Sequence, residues 1–512
     1  MDKNFNDLCY ACRIGDTDNA DRLISTGVNV NGLDEFENSP LYLASLCGHE
    51  GVVKLLLDRG AVCDRDRFEG VRCVYGALND SIRDILIKRY NSKSVDINQP
   101  FVMHISSLLK DLSLNTYDIQ VNPQKEINDN GLKLHKFLLS ARSFKLRDNL
   151  CTVWSSESKL TTDIPTSVLN IITKFIYLVP VLHEISMSDY DSLIQASLQW
   201  DLKLLVEYLH RLKDVTDSSG KSTLINEYQY RVTEDAREQI KQFVSDNILK
   251  CSIDLNSTTN FEEKCQLFEN HVAFPDVLLL IENPNQDRRI YPCHLAILSR
   301  ANYFKTMFTL PMKENNTYQE YKVLKDSRKL PLITLPSCDF EVIEIILRYL
   351  YHDSSEIPWQ YAIEVLLMAD FLLEERMKSM AAVAMTQSKD FLEKHSIFDI
   401  LYVAWETKME RLEQFAAKII AFDLKNYSRD NELRSAIIKS SQMISVREET
   451  DTIELIDDIR FYLLEKYAFE PEDIEILSEE KDIQLLKTSG ILDYQQDVTI
   501  IENILDELTL QA

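Results

Sequence analysis

The sequence predicts a multidomain, mainly helical chain that also carries small α+β modules. Three observations predict it. First, 512 residues are too many for one core, and about 100–200 residues per domain gives three or four domains. Second, Leu8, Ala11, Gly15, Leu23 and Gly27 recur 33 residues later as Leu41, Ala44, Gly48, Leu56 and Gly60. Third, HLAILSRANYFKTMF, from His294 to Phe308, is echoed by HKFLLSARSFKL, from His135 to Leu146.

The composition is 45% hydrophobic, 9% aromatic and 27% charged, with 11 Gly and 13 Pro, which excludes disorder as the main theme. A net charge of −26 argues against nucleic acid as a partner, because counterion displacement needs basic surface. It argues equally against an acidic membrane surface. The opening MDKNFNDLCYACRIG lacks the apolar core and cleavage site of a signal peptide, and no stretch approaches the ~18 apolar residues of a membrane span. Ten cysteines scattered through apolar contexts read as thiols in a reducing compartment, the cytoplasm or alternatively the nucleus.

The repeat occupies residues 1–100. In its better copy, NSPLYLASLCGHEGVVKLLLDRGAVCD, Ser39 can cap a helix that Pro40 begins. Leu41 and Ala44 fall on the apolar face, Gly48 turns the chain between paired helices, and Gly60 ends the second helix. Period and pattern resemble ankyrin repeats. A third copy has decayed: Ala77 keeps its place, while Ser81 replaces Gly48 and Arg89 replaces Leu56. So short a stack is marginal alone, and it is expected to lean on the next domain. Cys9 and Cys12 form a lone CxxC with no second ligand pair at zinc spacing, which reads as small packing residues.

In each copy of the duplicated stretch an aspartate, Asp118 or Asp276, opens a strand. Residues 118–121 alternate as a half-buried strand does, whereas DVLLLIE is apolar almost throughout, as a central strand is. The histidine then starts a helix. Further on, Phe340, Ile343, Ile346, Leu347 and Leu350 make one helix face. Neither His135 nor His294 has a nucleophile or carboxylate beside it in a shared motif, so neither belongs to a catalytic set.

On these motifs residues 274–385 resemble a BTB/POZ domain, through the DV…H.AILSRANYF opening, LPSCDFEVIEIILRYLY and LLMADFL. Residues 115–213 resemble a divergent second one, with DIPTSVLNIITKFIYL and DSLIQASLQWDLKLLVEYL after the histidine. Ankyrin repeats followed by two such domains resemble the ankyrin repeat and BTB/POZ domain-containing proteins. The resemblance implies that Asp118, His135, Asp276 and His294 are structural, the histidines anchoring a strand-to-helix turn.

Residues 214–270 read as a partly helical linker, either rigid or a loose tether. Its SSGKSTL lacks the first glycine of a phosphate-binding loop, since Val215 stands there, and reads as polar linker. Residues 389–512 form an acidic helical C-terminal extension whose start resembles a BACK-type region.

Met312 and Glu314 stand where cullin-3-binding BTB domains carry a hydrophobic-x-Glu motif. The resemblance therefore implies a non-enzymatic scaffold, an adaptor between a cullin-3-type ubiquitin ligase and a client held by the ankyrin repeats. The other reading is an assembly protein that uses BTB surfaces for oligomerisation without a ligase. No cofactor or metal is implied. Because BTB domains commonly pair about a two-fold axis, two in one chain are expected to pair intramolecularly.

Overall fold

A computed structural model of the chain describes residues 3–510, apart from 26–27, 29, 37, 60, 62, 64–67, 92–99, 112, 124–130, 156, 183, 216–217, 256–265, 269–270, 325–329, 445–452 and 470–488. The N-terminal part is built from antiparallel helix pairs: Lys3–Ile14 with Thr17–Ser25, Pro40–Leu46 with Glu50–Asp58, and Phe68–Tyr75 with Asp80–Asn91. Ser39 Oγ accepts from the Tyr42 N–H at 3.1 Å, and Pro40 takes the first helical position, where its missing N–H costs nothing. Gly48 has φ +81°, a left-handed conformation that side chains rarely adopt, and a Cβ there would also meet the Leu78 side chain, so this turn favours glycine. Leu41 and Ala44 are buried beside Leu8 and Ala11. Gly60 lies outside the described residues.

The buried residues of this part form a cluster of their own, separate from the one that begins at Phe101. The decayed copy still places Cys73, Val74, Ala77, Ile82 and Leu86 in the shared core. Burial of apolar area, rather than match to a consensus, decides whether the layer closes.

Two α+β units follow. In the first, β1 (Ile119–Pro123) pairs antiparallel with β2 (Leu132–Leu134) and parallel with β3 (Lys159–Thr162), in the order β2-β1-β3. The second has the order β4-β6-β5-β7, with β4 Ile253–Leu255, β5 Val277–Glu282, β6 Arg288–Cys293 and β7 Leu332–Thr334. Here β5 is antiparallel to β6 and parallel to β7, so the hairpin-plus-parallel-strand arrangement occurs twice. After each hairpin come two helices, Lys136–Arg142 and Phe144–Cys151 in the first unit, Leu295–Leu298 and Asn302–Thr309 in the second. After each parallel strand come three more, beginning at Thr166–Ile176 and at Phe340–His352. One element is unmatched: among the described residues the helix Lys313–Leu324 has no counterpart between Cys151 and Lys159.

The expected linker is more ordered than its polar composition suggested. Ser218–Val244 is one helix that runs into a π-helical turn at Ser245–Leu249, so SSGKSTL opens a helix rather than a loop. β4 then joins the second unit as an edge strand, Ile253 opposite Ile290. From Ile397–Thr407 to Ser489–Leu508 the chain is helical among the described residues, and its buried side chains share one cluster with both α+β units. Ser396 and Asp399 make a reciprocal capping box at the first of these helices.

Candidate interaction surfaces

The duplicated histidine begins its helix in both units, 2% exposed in each. Tyr351 Oη accepts from the His294 N–H at 3.1 Å and lies 2.7 Å from Nδ1, while Nε2 lies 2.7 Å from the Ala273 carbonyl. A carbonyl only accepts, which puts the ring proton on Nε2 and leaves Nδ1 to accept from the tyrosine. In the first unit Tyr177 Oη stands 2.8 Å from the His135 N–H and 2.9 Å from Nδ1, with Thr116 Oγ1 at 2.8 Å from Nε2. Burial pushes His294 down to about 4 and His135 down to about 3. Both rings are neutral pins that join a strand end to a helix start.

The aspartates hold the same turn. Asp118 Oδ1 accepts from the Lys136 N–H and Asp276 Oδ1 from the Leu295 N–H, each at 2.7 Å, which satisfies one orphan donor at a helix start. Asp276 also receives the Tyr318 hydroxyl at 3.0 Å, and burial raises its carboxyl to about 6.

The two units meet at these pins. Phe137 stacks on His294 with ring centres 4.3 Å apart, and Phe243 lies 6.3 Å from the same ring. His104 Nε2 stands 2.6 Å from the Ala296 carbonyl, and Lys322 donates to the carbonyls of Thr116 and Tyr117. The helix Ser218–Val244 packs against both Lys136–Arg142 and Phe340–His352. From it Gln239 Oε1 and Asp235 Oδ2 take the buried Arg142 guanidinium, at 2.5 and 3.4 Å. Sequence reasoning missed Phe137, Tyr177, Phe243, Lys322 and Tyr351. Only the tyrosines left a signal, since each stands at the C-terminal end of the apolar helix after the parallel strand of its unit, FIYL and RYLY.

Met312 and Glu314 sit at the start of Lys313–Leu324, Met312 being 40% exposed and Glu314 in the first turn, where the helix dipole favours its charge. Glu314 is close enough to raise the Tyr303 phenol, although burial is the larger cause. Tyr303 in turn packs on Phe371 at 4.7 Å, and Leu310, Phe371 and Leu373 are exposed. The result is an apolar margin with a carboxylate at its edge.

On the repeats, the Arg72 guanidinium lies 4.2 Å over the Tyr42 ring, joining successive first helices. Tyr10, Phe36 and Tyr75 are exposed. Cys9 and Cys12 are buried in the repeat core, and burial pushes their thiols up to about 11 and about 12. Among the described residues no group of three His, Cys, Asp or Glu is arranged to hold a metal ion. No described helix is long and apolar enough to cross a membrane.

Comparison with known proteins assigns names to two of these parts. The BTB/POZ domain model matches residues 265–389, and the ankyrin repeat model matches residues 2–67. The chain is 51% identical over its whole length to the ankyrin repeat-containing protein YIL001W of Saccharomyces cerevisiae, of which it covers 99%. It is 33% identical, again over its whole length, to BTB/POZ domain-containing protein 3 of Schizosaccharomyces pombe, of which it covers 90%. With repeats, BTB/POZ domain and full-length relatives in agreement, the chain belongs to the ankyrin repeat and BTB/POZ domain-containing proteins.

Proposed function

We propose that this protein-interaction scaffold is a non-enzymatic adaptor that joins a client on its ankyrin repeats to a cullin-3-type ubiquitin ligase on its second α+β unit. The observation that carries the ligase side is the margin of Met312, Tyr303 and Phe371 with Glu314 beside it. It offers an apolar anchor and a charged residue two positions apart in the chain, the composition of a small binding hot spot. We read the first unit as a divergent BTB domain, on its repeated strand order and its repeated Asp, His and Tyr contacts. It carries no Met-x-Glu at the matching place, so the second unit alone is assigned the cullin.

In the same reading the two domains pair within the chain, Phe137 against His294, and so occupy the faces through which separate BTB chains would dimerise. No disulfide joins the described cysteines, which suits the cytoplasm or nucleus. The test is capture of purified cullin-3 by the full-length chain. Binding at micromolar concentration, weakened at least ~30-fold by Met312→Ala with Glu314→Ala, is expected. Wild-type protein that captures no cullin at that concentration removes the ligase reading and leaves assembly through BTB surfaces.

A further inference from the structure

The unmatched helix Lys313–Leu324 supplies the observation. In the second unit it lays Tyr318, fully buried, between two fixed points: the Asp276 carboxylate, 3.0 Å from the hydroxyl, and the Phe308 ring, edge-on at 5.5 Å. The first unit has both fixed points. Asp118 is the counterpart of Asp276 by its bond to the helix-starting N–H. Leu150 is the counterpart of Phe308, each being the seventh residue of its helix, Phe144–Cys151 and Asn302–Thr309. Among the described residues no hydroxyl stands to Asp118 as Tyr318 stands to Asp276.

What lies there is a cleft of about 510 Å³ between the two units, bounded by Asp118, Ile119 and Leu150 on one side and by Phe268, Phe274 and Tyr321 on the other. A cleft of that size accepts a ligand of several side chains. Lys136, Lys159 and Lys322 border it against the two carboxylates Asp118 and Asp276, a lining that is net positive in a chain of net charge −26.

We propose that this cleft is a docking site for a helical segment of a partner protein that carries a tyrosine flanked by acidic residues. The segment takes in the first unit the place that Lys313–Leu324 takes in the second. Its tyrosine hydroxyl donates to Asp118, its ring packs on Leu150, and its acidic flanks meet the lysines. The inference rests on the pairing of the two units proposed above, and it is independent of the cullin margin.

The chain's own sequence provides the probe, a labelled peptide KENNTYQEYKVL corresponding to residues 313–324. Titrated into the full-length protein, it is expected to bind at micromolar to submillimolar concentration. A peptide with Tyr318→Phe is expected to bind roughly tenfold more weakly, since a hydrogen bond to a charged group is lost. In the protein, Asp118→Asn keeps an acceptor for the Lys136 N–H and is expected to weaken binding to a similar degree. Ser158→Trp, on the exposed rim of the cleft, is expected to abolish it while leaving the fold intact. Bound peptide is also expected to slow alkylation of Cys151, which borders the cleft.

No binding at millimolar peptide, equal binding of a scrambled peptide, or binding indifferent to Ser158→Trp overturns the proposal. Displacement of the peptide by an equal concentration of N-acetyltyrosine amide also overturns it, assigning the cleft to a small phenol instead. Met312→Ala leaves peptide binding unchanged, which separates failure here from failure of the cullin reading. A dimeric mass in solution marks failure of the pairing itself.

Discussion

Removing one oxygen atom tests the histidine pin. In Tyr351→Phe the ring stays and only the hydroxyl goes. That hydroxyl lies 2.7 Å from His294 Nδ1 and 3.1 Å from the His294 N–H, with no water route to either, since tyrosine and histidine are both buried. The variant therefore leaves a buried backbone donor and a buried ring acceptor without partners. Each unsatisfied group costs about 1–3 kcal/mol, partly offset because a tyrosine hydroxyl no longer has to be desolvated. The expected net loss is about 2–4 kcal/mol. Tyr177→Phe removes the equivalent pair at 2.8 and 2.9 Å and should cost the same. Urea unfolding of the shared core, followed by tryptophan fluorescence, measures both. Because Phe137 stacks on His294, the two losses should not simply add in the double variant, and a coupling of about 0.5 kcal/mol or more is expected. A loss below about 0.5 kcal/mol in either single variant refutes the reasoning. Strictly additive losses refute the contact between the pins.

Three further outcomes are expected. Acidification should unfold the shared core. Burial holds His104, His294 and His352 down at about 4 and His135 at about 3, so between the ordinary value near 6.5 and those values the unfolded chain binds more protons. Their stabilising contribution is complete above about pH 6.5 and is lost as pH falls towards 4. Asp276, raised to about 6, acts in the opposite sense over about pH 4 to 6, as do Asp118, Glu374 and Asp458, which burial also raises, while the lowered His271 adds to the four histidines. Urea midpoints that stay flat from pH 7 to 4.5 contradict this. The repeats, with a core of their own, should give a separate calorimetric transition in the intact chain, and a single transition for all residues contradicts that. Met312→Ala with Glu314→Ala should leave both transitions in place while cullin capture falls, because Met312 is exposed and packs into neither core.

The repeats and strands were legible because their signals are periodic. Ile119–Pro123 alternates buried and half-buried side chains as its sequence alternates, and Val277–Glu282 lies between two neighbours as its unbroken apolar run implies. The Asp and His positions were legible because the chain carries each twice. Their partners were not, since Tyr177 and Tyr351 stand 42 and 57 residues further on and are joined to the histidines only by the fold. The strand Ile253–Leu255 is three residues long, too short for any period to show. The contact between the units was hidden for another reason. FLLSAR reads as an ordinary buried helix whether its neighbour lies in the same domain or in the next one.

The pairing of the two α+β units within one chain is the central claim, and mass in solution tests it most directly. Sedimentation equilibrium from nanomolar to ten micromolar protein should give one species of 59.4 kDa at every concentration, because the faces around Phe137 and His294 already cover each other. A tight dimer that persists at nanomolar concentration would contradict the account.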